Sequence, residues 1–176
     1  LVKKPVAWEL PMGSTRLEFL DLAGGMLDGY EFRAALPGGA STMFMGPDQL
    51  DTPLDFDTLK PMNLALGTGT AIVVDDKTCP VGLSRNLQMF YARESCGWCT
   101  PCREGIPWLE RILEAMEHGE GQPGDVDLLL DQARSIGPNT FCAFAMGAVQ
   151  PLISAITLFR NEFEEHIKLG KCPYGS

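Results

Sequence analysis

Three cysteines within seven residues are the part of this sequence best suited to chemistry, in the run Glu94-Ser95-Cys96-Gly97-Trp98-Cys99-Thr100-Pro101-Cys102-Arg103-Glu104-Gly105. Thiols at i, i+3 and i+6 of one loop can point at a single centre. A 4Fe–4S cube asks for this, because each of its irons takes one external thiolate. Backbone N–H groups of the loop, and of a helix starting near Glu104, can bond the sulfurs and help set the reduction potential. Arg103 supplies a positive charge that favours the reduced, more negative cluster. A structural zinc site also uses four thiolates, but its pairs usually come as two separated C-x2-C knuckles, so the single run of three favours a cluster. Disulfides are the third reading, and the crowding of three of the six cysteines, with no export signal, counts against it.

Spacing leaves the fourth thiolate open among three residues. Cys79 and Cys172 each precede a proline, as the last cysteine of a ferredoxin run often does. Cys142, in Asn139-Thr140-Phe141-Cys142-Ala143, lies at the head of a helical stretch from which it can reach a loop packed on that helix end. It ranks first by a small margin; Cys79 and Cys172 otherwise read as a small buried side chain and a tail residue.

The elements that must position these groups follow from periodicity. In the first 75 residues, Val6–Leu10, Phe32–Leu36 and Ala71–Val74 are strand candidates. Thr15-Arg16-Leu17-Glu18 is a capping box opening a short helix that Gly24-Gly25 ends. A small sheet with one helix across it is expected. From about residue 80 the period becomes helical. Apolar stripes run through Trp108, Leu109, Ile112, Leu113 and Met116, then Val126, Leu129, Leu130 and Ala133, then Ile153, Ile156, Phe159, Phe163 and Ile167. Asp125 is the expected cap of the second stripe, and Pro151 should start or kink the third helix.

Other motifs are weaker. Gly67-Thr68-Gly69-Thr70 precedes a strand and reads as a turn, and Gly119 to Gly124 matches G-x-G-x-x-G by letter but joins two helices. His118 and His166 are expected on the solvated surface, and Glu162, Glu164 and Glu165 on a solvent or partner face. Met43 and Met45 read as core or interface filler. With 14 basic and 23 acidic residues, a formal charge of −9 and no basic stripe, nucleic acid and anionic membranes are poor partners. No apolar run approaches the ~20 residues that span a bilayer. The opening Leu1-Val2-Lys3-Lys4-Pro5 lacks Met and a signal core, which suggests a piece of a longer chain.

The segment Glu94 to Gly105 fits E-S-C-G-x-C-x-P-C-R-x-G at every specified position, and with it the sequence resembles the NADH-binding flavoprotein subunit, or F subunit, of respiratory complex I. Pro37 to Ser41, Asp51 to Phe56 and Phe159 to Ile167 carry the resemblance over nearly the whole chain. It implies an α+β fold: a soluble-ligand-binding, ubiquitin-like β-grasp domain over 1–76, then a helical cluster-binding domain over 77–176. It also implies that Cys96, Cys99, Cys102 and Cys142 ligate the 4Fe–4S cluster, with Arg103 beside it. That cluster would accept electrons from FMN, reduced by NADH, and pass them to the next iron–sulfur subunit. The partners so implied are a thioredoxin-like 2Fe–2S subunit and a large multi-cluster subunit, on the cytoplasmic side of a bacterial inner membrane. The family's glycine-rich FMN and NADH domain has no counterpart here, so the chain is expected to be an oxidoreductase only within a complex and inactive alone. Ile106-Pro107 is a smaller departure, tolerated in a first helical turn. NAD-reducing hydrogenases and NAD-dependent formate dehydrogenases carry the same subunit type, and a zinc-stabilised interaction module is the alternative of another class.

Overall fold

A computed structural model describes residues 1–175 and divides the chain into two compact units, Leu1–Lys77 and Thr78–Ser176, with Ser176 outside the described residues. In the first unit, helix α1 (Arg16–Leu22) begins with the reciprocal box its sequence encodes: the Glu18 N–H donates to Thr15 Oγ1 (3.2 Å) and the Thr15 N–H to Glu18 Oε2 (2.8 Å). Each bond satisfies an amide that the first helical turn leaves without a partner. Gly24 and Gly25, at φ +78° and +75°, then turn the chain where a side chain would be strained. Replacing Thr15 with Ala is expected to cost about 1 kcal/mol, read as a lower denaturant midpoint for this unit; no change would mean that the packing of α1, not its cap, holds it.

Strands β1 (Phe32–Leu36) and β2 (Ile72–Asp75) pair antiparallel, Leu36 opposite Ile72 and Ala34 opposite Val74. On its other edge β1 makes a single bridge, in which Ala35 and Met45 exchange N–H···O bonds of 2.9 and 2.7 Å. Met45, Leu59 of helix α2 (Phe56–Leu59) and Leu64 form a small apolar cluster, with Met43 packed against it. The expected strand over Val6–Leu10 is not formed. Pro5 and Pro11 bracket it and remove two ladder donors, and Val6 and Trp8 stay exposed. Arg16 is buried, donates to the Pro37 carbonyl at 2.7 Å and lies over the Phe19 ring. It lines a largely apolar cavity of about 610 Å³ walled also by Trp8, Phe19 and Phe32.

The second unit is helical: α3 (Pro80–Glu94), α4 (Ile106–Glu117), α5 (Asp125–Ile136) and α6 (Ala143–Leu169). The α4 stripe buries Leu109, Ile112, Leu113 and Met116 while leaving Trp108 partly exposed, and α5 buries Val126, Leu129, Leu130 and Ala133. Asp125 is the first residue of α5 and not its cap; Gly124, at φ +99°, holds that position, and the Asp125 carboxylate accepts from the Gln122 N–H at 2.7 Å. Pro151 neither starts nor breaks α6, which runs through it and leaves helical geometry at Phe159 (φ −123°, ψ 25°). At 27 residues α6 is long and apolar enough to cross a bilayer, but its apolar face, including Ala148, Leu152, Ile156 and Phe163, is buried within the unit, as in the core helix of a globular fold.

Candidate metal centre

The three-cysteine loop leaves α3 at Ser95 and enters α4 through a π-helical turn, Pro101–Gly105. Such turns are rare and frequent at functional sites. Packing is tight at its end: a Cβ on Gly105 would stand 2.6 Å from Ile136 Cδ1 of α5, so that side chain would have to shift. Cys102 is buried, Cys99 half-buried and Cys96 exposed. The Ser95 hydroxyl lies 3.1 Å from Cys102 Sγ and accepts from the Gly97 N–H at 3.2 Å, so it braces both ends of the loop. The Arg103 guanidinium donates to the Gly97 carbonyl (2.8 Å) and to Glu104 Oε1 (3.0 Å), with its charge held at the loop surface.

Cys142 caps α6 and comes to the same place. The N–H of its neighbour Phe141 points at Cys99 Sγ, 3.5 Å away. Burial pushes the Cys102 thiol upward; the Ser95 hydroxyl offsets part of this, while Cys142, Cys96 and Cys99 push it further. Four thiols drawn together in this way favour any cation that lets them ionise. These sulfurs share one region of the fold, with Cys142, Cys96 and Cys99 each near enough to act on Cys102. A lone zinc would hold thiolates at about 2.3 Å from one centre, whereas a cube of iron and sulfide keeps its thiolates further apart. Trp98 and Phe141 flank the site at 78% and 88% exposure.

Cys79 and Cys172 lie elsewhere. Cys79 caps the start of α3, fifteen residues before the loop, which at helical rise is about 22 Å. Beside it are Glu117 at the end of α4, His166 near the end of α6, and Cys172. His166, expected on the surface, is 0% exposed. Neither this grouping nor a role for Glu117 is expected from the sequence. The available signal was a Cys-Pro at one helix start and a histidine six residues before Cys172-Pro173. His118 is exposed at the end of α4, as expected. Of the acidic run, Glu164 pairs with Arg160 at 2.7 Å and Glu162 accepts from the Tyr174 hydroxyl.

A helical unit that gathers one thiol from a helix start and three from a loop is the architecture of an iron–sulfur protein. Residues 82–166 match the NADH-ubiquinone oxidoreductase-F iron-sulfur binding region, so that stretch of the chain carries this domain. The chain is 54% identical to the F subunit of NADH-quinone oxidoreductase of Escherichia coli over 95% of its length, and 42% identical to the same subunit of Mycobacterium tuberculosis over 98%. It spans about two fifths of those relatives, 38% of the first and 39% of the second. A crystal structure of an NAD+-reducing [NiFe]-hydrogenase in its H2-reduced state superimposes with a TM-score of 0.81, at 26% identity, over 98% of this chain and 28% of that one.

Proposed function

We propose that Cys96, Cys99, Cys102 and Cys142 hold a 4Fe–4S cluster and that the unit serves as an electron relay within an NADH-oxidising complex. The observation that carries this is the Phe141 amide on the Cys99 sulfur, which brings the one distant cysteine of the set beside the loop. A bound cluster would supply one-electron storage between a flavin reduced by NADH and a neighbouring iron–sulfur subunit. The chain's own groups orient the thiolates. Ser95 and the Phe141 N–H bond two sulfurs, and burial of Cys102 shields one corner from water. The exposed Trp98 and Phe141 offer the next redox subunit, of thioredoxin-like 2Fe–2S or large multi-cluster type, an aromatic docking surface. The first unit, with Val6, Trp8 and Met12 exposed, acts as a β-grasp-like docking module on the cytoplasmic face.

Identity of 42 to 54% with the quinone oxidoreductase relatives, against 26 to 27% with the hydrogenase chains, favours a quinone-linked complex over a hydrogenase. Iron and acid-labile sulfide analysis of the anaerobically purified protein tests the reading. About four of each per chain are expected, with a broad visible absorbance that dithionite bleaches; a colourless protein without iron overturns it.

Arg103 tunes the site through its charge. Arg103→Met is expected to keep the iron and lower the midpoint potential, because a cation near the loop favours the reduced cluster and is lost. Redox-titrated EPR checks the direction, and an unchanged or raised potential would remove Arg103 from that role. Arg103→Lys, which keeps the charge, should return most of the shift.

A further inference from the structure

We infer that Cys79, Glu117, His166 and Cys172 form a second metal site, a structural zinc centre independent of the iron–sulfur loop. Their ligand atoms all lie within 4.8 Å of one another. Cys79 Sγ is 3.2 Å from Glu117 Oε1 and 3.3 Å from His166 Nε2, and that nitrogen is 3.3 Å from the same carboxylate oxygen. Four donors at about 2.0 to 2.3 Å from one tetrahedral ion stand about 3.3 to 3.8 Å apart, so the group needs little movement to close on zinc. Two thiolates, an imidazole and a carboxylate suit zinc better than magnesium or calcium, which prefer oxygen alone.

The surroundings are those of a ligand set. His166 Nδ1 donates to the Glu162 carbonyl at 2.6 Å, which leaves the Nε2 lone pair facing the two sulfurs. An imidazole fixed through its other nitrogen is the usual companion of a metal-binding histidine. The Gly82 N–H at the start of α3 donates to Cys79 Sγ at 3.2 Å and stabilises a thiolate there. His166 and Cys172 are buried and Glu117 nearly so, which closes the site to substrate and marks it as structural. The fold also keeps two turns in close apposition here. Gly119 (φ +77°) packs so closely on Gly170 (φ +61°) that a Cβ on Gly119 would lie 2.0 Å from the Gly170 carbonyl oxygen. That contact brings the end of α4, with Glu117, against the end of α6, with His166 and Cys172.

The placement suggests what the ion does. The end of α3 and the starts of α4 and α6 meet at the loop cysteines, whereas the start of α3 and the ends of α4 and α6 meet at this group. The same three helices are therefore tied at both poles, iron at one and zinc at the other. Binding releases the two thiol protons to solvent and changes no oxidation state.

The test uses the intact protein that carries this chain, purified anaerobically without chelator. About one zinc per chain is expected beside the iron, and zinc-edge absorption fine structure should show about two sulfurs near 2.3 Å and two lighter donors near 2.0 Å. Cys172→Ser and Cys79→Ser should each cut zinc at least tenfold and leave iron unchanged, while Cys99→Ser should lower iron and spare zinc. Absence of zinc from the wild-type protein even after incubation with zinc chloride, a Cys79–Cys172 disulfide mapped by mass spectrometry, or zinc retained by both serine variants would overturn the assignment. The wild-type measurements decide the matter if the variants do not fold.

Discussion

With Cys142 replaced by serine, the intact protein is expected to fold normally and lose its cluster, or keep a three-iron remnant. The substitution isolates ligation from structure. Cys142 sits at the N-cap of α6 and makes no side-chain capping bond. Serine is among the preferred N-cap residues, so the helix should be unharmed or slightly steadier. What changes is one thiolate among four, and a cube with an unligated iron loses that iron readily to oxidation. Iron per chain should fall from about four to three or fewer, with the EPR signature of the reduced four-iron cluster gone. Electron delivery to an external acceptor should drop by at least about tenfold, the lower end of what disturbing a metal's outer partners already costs. Cys172→Ser is the matched control, because it removes a thiol of the same unit at the opposite pole and should leave iron intact. Iron unchanged in the Cys142 variant would mean that the fourth ligand is another group.

Leu113→Ala is expected to destabilise the helical unit by about 2 to 5 kcal/mol, the range for removing a buried leucine side chain from a core that relaxes only in part. Leu113 is fully buried on α4, with Leu109 and Met116 one turn to either side. A unit of this size has about 5 to 15 kcal/mol of stability in all, so the loss is a large share. The consequence reaches the site, since α4 begins where the cysteine loop ends and α5 supports the π-turn through Ile136 against Gly105. Denaturant titration by circular dichroism, with wild type and variant compared at equal iron content, measures it. Trp108→Ala, on the half-exposed edge of the same helix, should cost less. A Leu113 loss under about 1 kcal/mol would place that residue outside the packed core.

Most of the elements were legible where one local rule settled them. The Thr15/Glu18 box, the β-branched run around Ile72 and the apolar stripes of α4 and α5 appear where their residues place them. Helix α3 was not delimited, because its buried face includes Ser84 and Gln88, polar residues that interrupt the stripe. Gln88 is tolerated there because its side-chain amide donates to the Ala148 carbonyl of α6 at 2.8 Å, a partner sixty residues away. Val6–Leu10 failed as a strand for the converse reason: a strand needs a neighbour to accept its bonds, and composition does not supply one.

By itself the sequence determined that three thiols stay together in the loop. Three thiols at fixed short spacing, beside a serine and an arginine, are confined to one turn of chain by covalent geometry, whatever the rest does. Only the tertiary structure decided which distant thiols lie beside the loop and which lie beside His166. Cys79, Cys142 and Cys172 look alike in the chain, and their fates depend on which helix end each occupies. Antiparallel packing of α3 against α4 and α6 sends Cys142 to the loop and gathers Cys79 and Cys172 around His166 at the other end. Buried apolar faces set that packing, and a helix of fifteen residues is too long for a thiol at its start to serve a site at its finish.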